Sequence, residues 1–354
     1  MTQYKILSIF DGISACQVAL KNLGIEYDYF AAEIDKYAIS VTKNNFPNTI
    51  HLGDVKLING YDYKDVELLC GGSPCQSFSI AGSQKGFEDP RGQLFWEYVR
   101  ILNEVKPKFF IFENVNSMKQ RDKDIISKAF GFEPIVINSS LLTAQQRKRL
   151  FYVGALQEDG TYKKVEIEQP QDKGILLKDI LESGLPYQEK AHSLTASYNG
   201  AVFWNSLEKK QRSMIAEPIV YSPYNQTLNK NHKSYSVGTN PQCYTATAGQ
   251  LVVEPIRLGQ IGKGGQGDRI YSVQGKSVCL SANGSGRGAK TGLYKIDLLD
   301  GDYHIRKLTV NECCRLQGFP DGFCDSVSRT QGYKALGNSF TVPVIEHILK
   351  TILK

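Results

Sequence analysis

Residues 5–24, KILSIFDGISACQVALKNLG, decide the class of fold. An apolar run over 5–10 predicts a buried β-strand, and residues 16–23 have the apolar spacing of a helix that stops at Gly24. A short turn that contains Gly12 joins the two. A strand, a glycine-containing turn and a helix in this order are typical of the first unit of an α/β sheet.

The same alternation continues through the first half of the chain. Short apolar runs and helical spacing predict strands at 29–32, 66–70, 108–112 and 150–155, and helices at 36–45 and 93–104. Strands that alternate with helices indicate an α/β fold with a mostly parallel, Rossmann-like sheet flanked by helices.

Composition changes in the second half. Residues 171–303 are rich in Gly, Ser, Thr, Asn and Tyr and contain short β-like runs, which predicts a smaller, loop-rich β domain. Helical spacing returns at 342–353, and we expect that helix to pack on the first domain. We therefore predict a first domain at 1–170, the loop-rich domain at 171–303, and a return to the first domain at 304–354.

Composition also limits the class of protein. The chain has 354 residues, 41% of them hydrophobic, and a net charge of +6, which permits a polyanionic partner without requiring one. No run of about 20 apolar residues occurs, and the first residues lack a signal-peptide pattern, so we expect a cytoplasmic protein without membrane contact. The 8 cysteines have no regular spacing, which fits a reducing compartment and predicts no metal site.

Cys75 differs from the other cysteines in its surroundings. It lies in the run GGSPCQSFS at 71–79, directly after a predicted strand, so a tight loop should present it. A thiolate is a strong nucleophile when it is exposed and stabilised. A buried structural thiol is the alternative, because free cysteine is among the most buried residue types.

Three residues near the strand ends predict a nucleotide-like ligand. Gly12 follows the first strand, where backbone can approach a ligand closely. Glu33 lies at the end of the second strand and can accept hydrogen bonds from ribose hydroxyls, and Asp54 can bond an adenine amino group. Together they indicate an adenosine-containing cofactor and leave NAD and S-adenosylmethionine both open.

Four further short runs of polar and glycine-containing sequence follow later in the chain. They are ENV at 113–115, QQRKR at 145–149, TVNECCRLQGFP at 309–320 and GNS at 337–339. With PCQ at 74–76, they resemble the motif set of the DNA (cytosine-5)-methyltransferases over nearly the whole chain. The glycine-rich run at 257–272 is similar to the target-recognition region of the HhaI-type bacterial modification methyltransferases in that family.

The resemblance implies methyl transfer to C5 of a cytosine. In this family the residue matching Cys75 adds to ring C6, the residue matching Glu113 bonds or protonates ring N3, and the residue matching Arg149 contacts O2. The resemblance also assigns Arg147, in the same motif, to the catalytic residues. A stacked base cannot reach such a site, so the cytosine must be flipped out of the duplex.

The resemblance also implies the cofactor S-adenosyl-L-methionine, with S-adenosyl-L-homocysteine as product. It makes 1–170 the cofactor-binding catalytic domain, 171–303 the target-recognition domain, and 304–354 the hinge and C-terminal return. The residues it assigns to the cofactor are Phe10, Gly12, Ile13, Glu33, Ile34, Asp54, Val55, Pro74, Leu94, Asn338 and Ser339.

Double-stranded DNA is the partner that the resemblance implies, at a short GC-rich palindrome such as GCGC. Gln266 matches the residue that fills the space left by the flipped base, while Lys263, Arg269 and Arg287 are candidates for DNA contacts. Arg269 is the best placed for a base edge. We expect a monomer in a bacterial or phage-infected cell, with a cognate restriction endonuclease acting separately if one is present.

Three residues depart from the family pattern. Ser14 stands at a usual glycine of the first motif, Ala81 at a serine of the HhaI type, and Cys279 at a threonine associated with a phosphate contact. A thiol is a poorer hydrogen-bonding group than a hydroxyl, so Thr195 or Thr245 is an alternative for the phosphate contact.

Three other functions remain as alternatives to DNA methylation. The first is cytosine-5 methylation of transfer RNA, which one branch of the family performs. The second is a catalytically inactive DNA reader with the same fold. The third is a nicotinamide oxidoreductase, for which the sequence offers no hydride-transfer residues.

Overall fold

The computed structural model describes residues 3–74, 77–78, 86–90, 92–186, 188–201, 212–218, 257–260, 269–271, 293–294 and 303–353. The chain divides into two compact units. The first unit is built from three separate stretches, Met1–Ile180, Lys190–Asn199 and Thr309–Lys354. The second comprises Leu181–Glu189 and Gly200–Leu308.

An eight-stranded sheet lies at the centre of the first unit, in the order β3-β2-β1-β4-β5-β7-β6, with β8 paired to β7. Its strands are Tyr4–Ile9 (β1), Tyr27–Ala32 (β2), Ile50–His51 (β3), Leu68–Gly71 (β4), Phe109–Val115 (β5), Ile135–Asn138 (β6), Lys148–Leu156 (β7) and Tyr162–Lys164 (β8).

The first five strands of the sheet pair in parallel, and β7 runs antiparallel to its neighbours β5, β6 and β8. Strands β4 and β5 are almost continuously buried, as expected for parallel strands covered on both faces. The predicted fold class, a mostly parallel α/β sheet flanked by helices, is confirmed. The reversed direction of β7 was not predicted, because an apolar run does not encode strand direction.

The helices of the first unit are Ala15–Asn22 (α1), Lys36–Asn45 (α2), Leu94–Val105 (α3), Gln120–Phe130 (α4), Val310–Gln317 (α5), Arg329–Asn338 (α6) and Val342–Ile352 (α7). Local chemistry sets several of their ends. The Asp35 side chain caps α2 by accepting from the Tyr37 amide, and Thr309 and Glu312 form a reciprocal capping box on α5.

Most of the predicted elements are confirmed within one or two residues. The helix predicted at 36–45 has those bounds, and the last helix ends at Ile352 and packs on α1. Sequence analysis missed α4, α5 and α6, and it treated the run that contains α5 only as a motif. Helix α4 has a low proportion of apolar residues, and Gly332 and Gly337 interrupt the helical pattern of α6.

A cluster of aromatic rings fills the core between α3, α4 and the strands β4, β5 and β7. Tyr98 packs edge-on against Phe112 at 4.8 Å between ring centroids, and Phe110 lies 5.0 Å from Phe130. The Tyr98 hydroxyl is fully buried and donates to the Ile111 carbonyl at 2.9 Å, so its polar atom has a partner.

In the second unit, the structure describes two three-stranded sheets. One contains Leu185–Pro186 (β9), Met214–Pro218 (β10) and Tyr303–Lys307 (β14), in the order β14-β10-β9 with antiparallel pairing. The other contains Arg257–Gln260 (β11), Arg269–Tyr271 (β12) and Leu293–Tyr294 (β13). Within the described part of the chain, no helix has both the length and the apolar character needed to cross a membrane.

Gly154 lies opposite Phe110 in the β5–β7 pair, and a Cβ added at Gly154 would lie 2.2 Å from the Phe110 ring. We expect Gly154→Ala to lower the free energy of unfolding by about 1–3 kcal/mol, because the ring has no space to move within the aromatic core. Urea unfolding followed by circular dichroism measures this change.

Gly200→Ala is the control for this substitution. Its added methyl would lie 3.6 Å from the nearest heavy atom, an ordinary contact, and we expect a change within about 0.5 kcal/mol. Equal effects of the two substitutions would contradict the packing argument.

Candidate active site

The ends of four parallel strands lie side by side in the first unit. Strand pairing aligns Ala32, Ile9, Gly71 and Phe112 in one row across β2, β1, β4 and β5. The residues that follow this row are therefore neighbours at the carboxyl edge of the sheet, where open α/β sheets bind ligands. They are the turn Phe10–Ser14, Glu33, the run from Gly72 to Pro74, and Glu113.

Glu113 and Arg149 form an ion pair at this edge. They lie diagonally across the antiparallel β5–β7 pair, and Arg149 Nε is 3.0 Å from Glu113 Oε1. Both side chains are largely buried, at 12% exposed for Glu113 and 16% for Arg149. Burial raises the pKa of Glu113, and the charges of Arg149 and Arg147 lower it without cancelling the rise.

The residues that lead into Cys75 pack directly on Glu113. A Cβ at Gly72 would lie 2.6 Å from the Glu113 carbonyl oxygen and 3.1 Å from its Oε2, so only glycine fits here without displacement. The Ser73 hydroxyl accepts a hydrogen bond from the Asn114 side chain at 3.3 Å. Cys75 itself and Gln76 lie outside the described residues. The structure thus places Pro74, the last described residue before Cys75, two positions beyond the glycine that contacts Glu113.

Arg147 has a different environment from Arg149. Its side chain is buried, and the guanidinium donates to the carbonyl oxygens of Leu194 at 2.7 Å, Ser339 at 2.8 Å and Gly337 at 3.2 Å. These bonds connect the start of β7 with the end of α6 and the residue after it. The Arg147 guanidinium therefore holds the backbone around Ser339.

Two buried glutamines extend this network, and sequence analysis assigned neither of them a role. The Gln145 side chain donates to the Leu316 carbonyl at 3.2 Å and accepts from the Leu194 amide at 2.7 Å. The Gln317 side chain donates to the Leu336 carbonyl at 2.7 Å and accepts from the Thr341 hydroxyl at 2.9 Å. Both glutamines lie within runs that the sequence had singled out as motifs, which was the available signal.

Glu33 lies against the turn after β1. Its carboxylate accepts three backbone amides, from Gly12, Ile34 and Asp35, each at 2.8 Å. Burial raises the pKa of Glu33, and these amides lower it. A carboxylate offers about four acceptor sites, so roughly one remains for a ligand hydroxyl.

The other predicted cofactor residues differ in what they can offer a ligand. The apolar side chain of Ile34 is 73% exposed, so a planar ring of a ligand can pack against it. Ile13 and Val55 are buried in the core, so a contact from either would use its backbone. Four of these residues are partly exposed, namely Phe10, Asp54, Pro74 and Leu94. At the end of α6, Asn338 is exposed and the next residue, Ser339, is buried.

The predicted DNA-contact residues are mostly beyond what the structure describes. The structure does not describe several of the positions that the resemblance singled out, namely Lys263, Gln266, Arg287, Cys279 and Ala81. Arg269 is the first residue of β12, paired with Gln260. Among the described residues, no group of three or more His, Cys, Asp or Glu is arranged to hold a metal ion.

Comparisons with known proteins agree with one another. A family model described as C-5 cytosine-specific DNA methylase matches residues 4–354. The chain is 32% identical to the type II methyltransferase M.HhaI of Haemophilus parahaemolyticus, covering 99% of this chain and 95% of that protein. It is 29% identical to the orphan methyltransferase M.SPRI of Bacillus phage SPR, covering 100% and 98%. Among solved structures, the Entamoeba histolytica methyltransferase EhMeth matches with a TM-score of 0.62 at 16% identity, covering 100% and 98%, and supports the fold.

Removing the Arg149 charge should raise the pKa of Glu113 further, because Arg149 is the largest influence that lowers it. We expect this shift in Arg149→Gln, measured by carbon-13 NMR titration of labelled glutamate carboxyls. The Glu113 signal is assigned by its loss in Glu113→Gln.

Arg100→Gln is the matched control. The Arg100 guanidinium pairs with Glu97 and Glu104 in α3, so its removal should leave the Glu113 titration unchanged. An unaltered Glu113 pKa in Arg149→Gln would show that the two side chains do not interact in solution.

Proposed function

Because the chain belongs to the C-5 cytosine-specific DNA methylase family, we propose that it methylates C5 of a flipped cytosine in double-stranded DNA through Cys75, with S-adenosyl-L-methionine as methyl donor. The family and the enzyme class predicted from the sequence are confirmed by the family match and by the relatives. One observation supports the chemical proposal most directly, namely the Glu113–Arg149 pair beside the run that leads into Cys75.

The proposed reaction begins with addition of the Cys75 thiolate to C6 of the cytosine. A C6–S bond forms, and electron density moves onto ring N3 and O2, which makes C5 nucleophilic. Bound S-adenosylmethionine would supply the methyl group to C5 and would be left as S-adenosylhomocysteine. Loss of the C5 proton to a base, followed by loss of the thiolate from C6, then restores the aromatic ring.

Glu113 and Arg149 suit the charge that develops on the base. A raised pKa keeps a proton on Glu113 to higher pH, and a protonated carboxyl can donate to N3 as that nitrogen gains charge. A guanidinium beside it can stabilise O2. Because Arg147 donates to backbone carbonyls, we assign it to positioning.

The residues at the sheet edge fit an adenosine-containing cofactor. Glu33 keeps an acceptor for a ribose hydroxyl while it fixes the Gly12 amide. The exposed Ile34 side chain offers an apolar surface to an adenine ring. Asp54 lies at the start of a short helical turn and has one carboxylate oxygen bonded to the Lys56 amide, which leaves acceptor capacity for an adenine amino group.

We propose that the second unit reads the DNA sequence. M.HhaI is named a type II methyltransferase and M.SPRI an orphan methyltransferase of a Bacillus phage, which supports a role in restriction–modification or in phage self-protection. A GCGC-like site, Gln266 in the space of the flipped base, and DNA contacts by Lys263, Arg269 and Arg287 complete the proposal. A cognate restriction endonuclease and a monomeric, cytoplasmic enzyme remain parts of it.

Substitution of Cys75 tests the covalent step. We expect Cys75→Ser to reduce methyl transfer to background, because a hydroxyl is almost fully protonated at neutral pH, while S-adenosylhomocysteine binding stays within about threefold of the parent. Radiolabelled methyl transfer and calorimetry measure the two properties.

Cys324→Ala serves as the control for general thiol loss, since Cys324 lies between α5 and α6. We expect it to retain turnover. Normal turnover by the Cys75→Ser protein would eliminate the covalent mechanism.

Sequencing after methylation of a random-sequence duplex library tests substrate and specificity together. We expect 5-methylcytosine confined to one short motif. Higher activity on transfer RNA than on duplex DNA would favour the RNA alternative. Tight duplex binding without methylation or a covalent complex on 5-fluorocytosine DNA would favour the inactive reader.

The same library tests Arg269, the one predicted DNA-contact residue that lies in a described strand. We expect Arg269→Ala to relax the preference at one base pair, since a bidentate arginine contact discriminates by about 1–3 kcal/mol. An unchanged sequence preference with weaker overall binding would instead indicate a phosphate contact.

A further inference from the structure

The turn between β1 and α1 has an unusual backbone. Phe10, Gly12 and Ser14 all have positive φ, at 56°, 61° and 58°. Glycine adopts this left-handed region readily, whereas a residue with a Cβ atom does so only at a cost in free energy. Two of the three residues have a Cβ, so the surrounding contacts must hold the turn in this shape.

Ser14 is the position where the family pattern has glycine, and its side chain is fully buried. Its hydroxyl donates to the Asp11 carboxylate and lies 3.1 Å from the Thr42 hydroxyl. Its amide donates to the Asp11 carbonyl at 3.2 Å. Asp11 therefore contacts both the main chain and the side chain of the strained serine.

Asp11 is itself anchored to the sheet. Its second carboxylate oxygen accepts from the Tyr29 hydroxyl at 2.7 Å, and its amide donates to the Ala32 carbonyl at 3.1 Å. Tyr29 and Ala32 both belong to β2, the strand that leads to Glu33. Asp11 thus connects Ser14 to the strand that carries the proposed ribose acceptor.

From these contacts we propose that Asp11 is a positioning residue of the cofactor site. Its carboxylate holds Ser14 in the left-handed conformation and so fixes the Gly12 amide against Glu33. The inference rests on the proposed function, because the ligand of this turn is taken to be S-adenosylmethionine. It explains how the chain tolerates serine at this position.

Burial of the Asp11 carboxyl and its hydroxyl donors are consistent with this role. Burial raises the pKa of Asp11, while the Ser14, Ser8 and Tyr29 hydroxyls lower it. A carboxylate surrounded by three donors restricts the turn more strongly than an isolated one.

The proposal predicts a specific coupling between positions 11 and 14. If Asp11 acts by restraining Ser14, a glycine at 14 should make Asp11 dispensable. We expect Asp11→Ala to weaken S-adenosylhomocysteine binding about tenfold or more, Ser14→Gly to change it less than about threefold, and the double variant to bind within about threefold of Ser14→Gly.

Isothermal titration calorimetry of the full-length variants with S-adenosylhomocysteine measures this cycle. Steady-state kinetics should show a raised KM for S-adenosylmethionine in Asp11→Ala with kcat nearly unchanged. If Asp11→Ala does not fold, Asp11→Leu, which fills a similar volume and offers no acceptor to Ser14, replaces it in the same cycle. Tyr29→Phe removes one anchor of Asp11 to β2 and leaves the Ser14 contact in place, so we expect a smaller loss of affinity than in Asp11→Ala.

The outcomes separate this inference from the proposed function. Suppose that the parent protein binds S-adenosylhomocysteine and that Asp11→Ala causes the same loss in the parent as in the Ser14→Gly variant. That result would overturn the positioning role alone. Failure of the parent protein to bind S-adenosylhomocysteine would overturn the proposed cofactor and this inference with it.

Discussion

The buried Arg147 guanidinium is the contact on which the arrangement of the first unit depends. A charge at this depth requires partners, and it finds them in the carbonyls of Leu194, Gly337 and Ser339. These residues come from the second and third stretches of the unit, whereas Arg147 belongs to the first. Gln145 and Gln317 join the first and third stretches through a further buried bond. Separate parts of the chain are thereby fixed around one strand end.

Strand β7 links this structural network to the chemistry. Arg147 lies just before the strand and Arg149 is its second residue, so the bonds that fix the Arg147 guanidinium also restrict where Arg149 lies. The reversed direction of β7 brings its first residues beside the last residues of β5, which is where Glu113 lies. Two arginines separated by one residue thus have different contacts. Arg147 precedes the strand and donates to the end of α6, whereas Arg149 lies within the strand and pairs with Glu113.

Sequence analysis predicted the order of elements in the first unit, because strands buried on both faces and amphipathic helices have clear patterns. It also selected residues that meet at the sheet edge, including Gly12 with Glu33 and Glu113 with Arg149. It did not reveal the direction of β7, the buried contacts of Gln145 and Gln317, or the restraint of Ser14 by Asp11. The direction of β7 and the glutamine contacts depend on which distant groups meet in the folded chain, and the Ser14–Asp11 contact depends on the backbone conformation of one turn. The spacing of apolar residues holds neither kind of information. The roles of Cys75 and Gln266 rest on resemblance, since both lie outside the described residues.

The division of the first unit into three stretches has a consequence for protein synthesis. Helix α7 packs on α1, yet the two are made at opposite ends of translation. A ribosome needs on the order of ten seconds or more to make the residues between Ile180 and α7. During that interval α1 lacks its covering helix, and Arg147 lacks the carbonyls of Gly337 and Ser339. A nascent or prematurely terminated chain therefore cannot complete the sheet edge, and the network around Arg147 forms only in finished molecules.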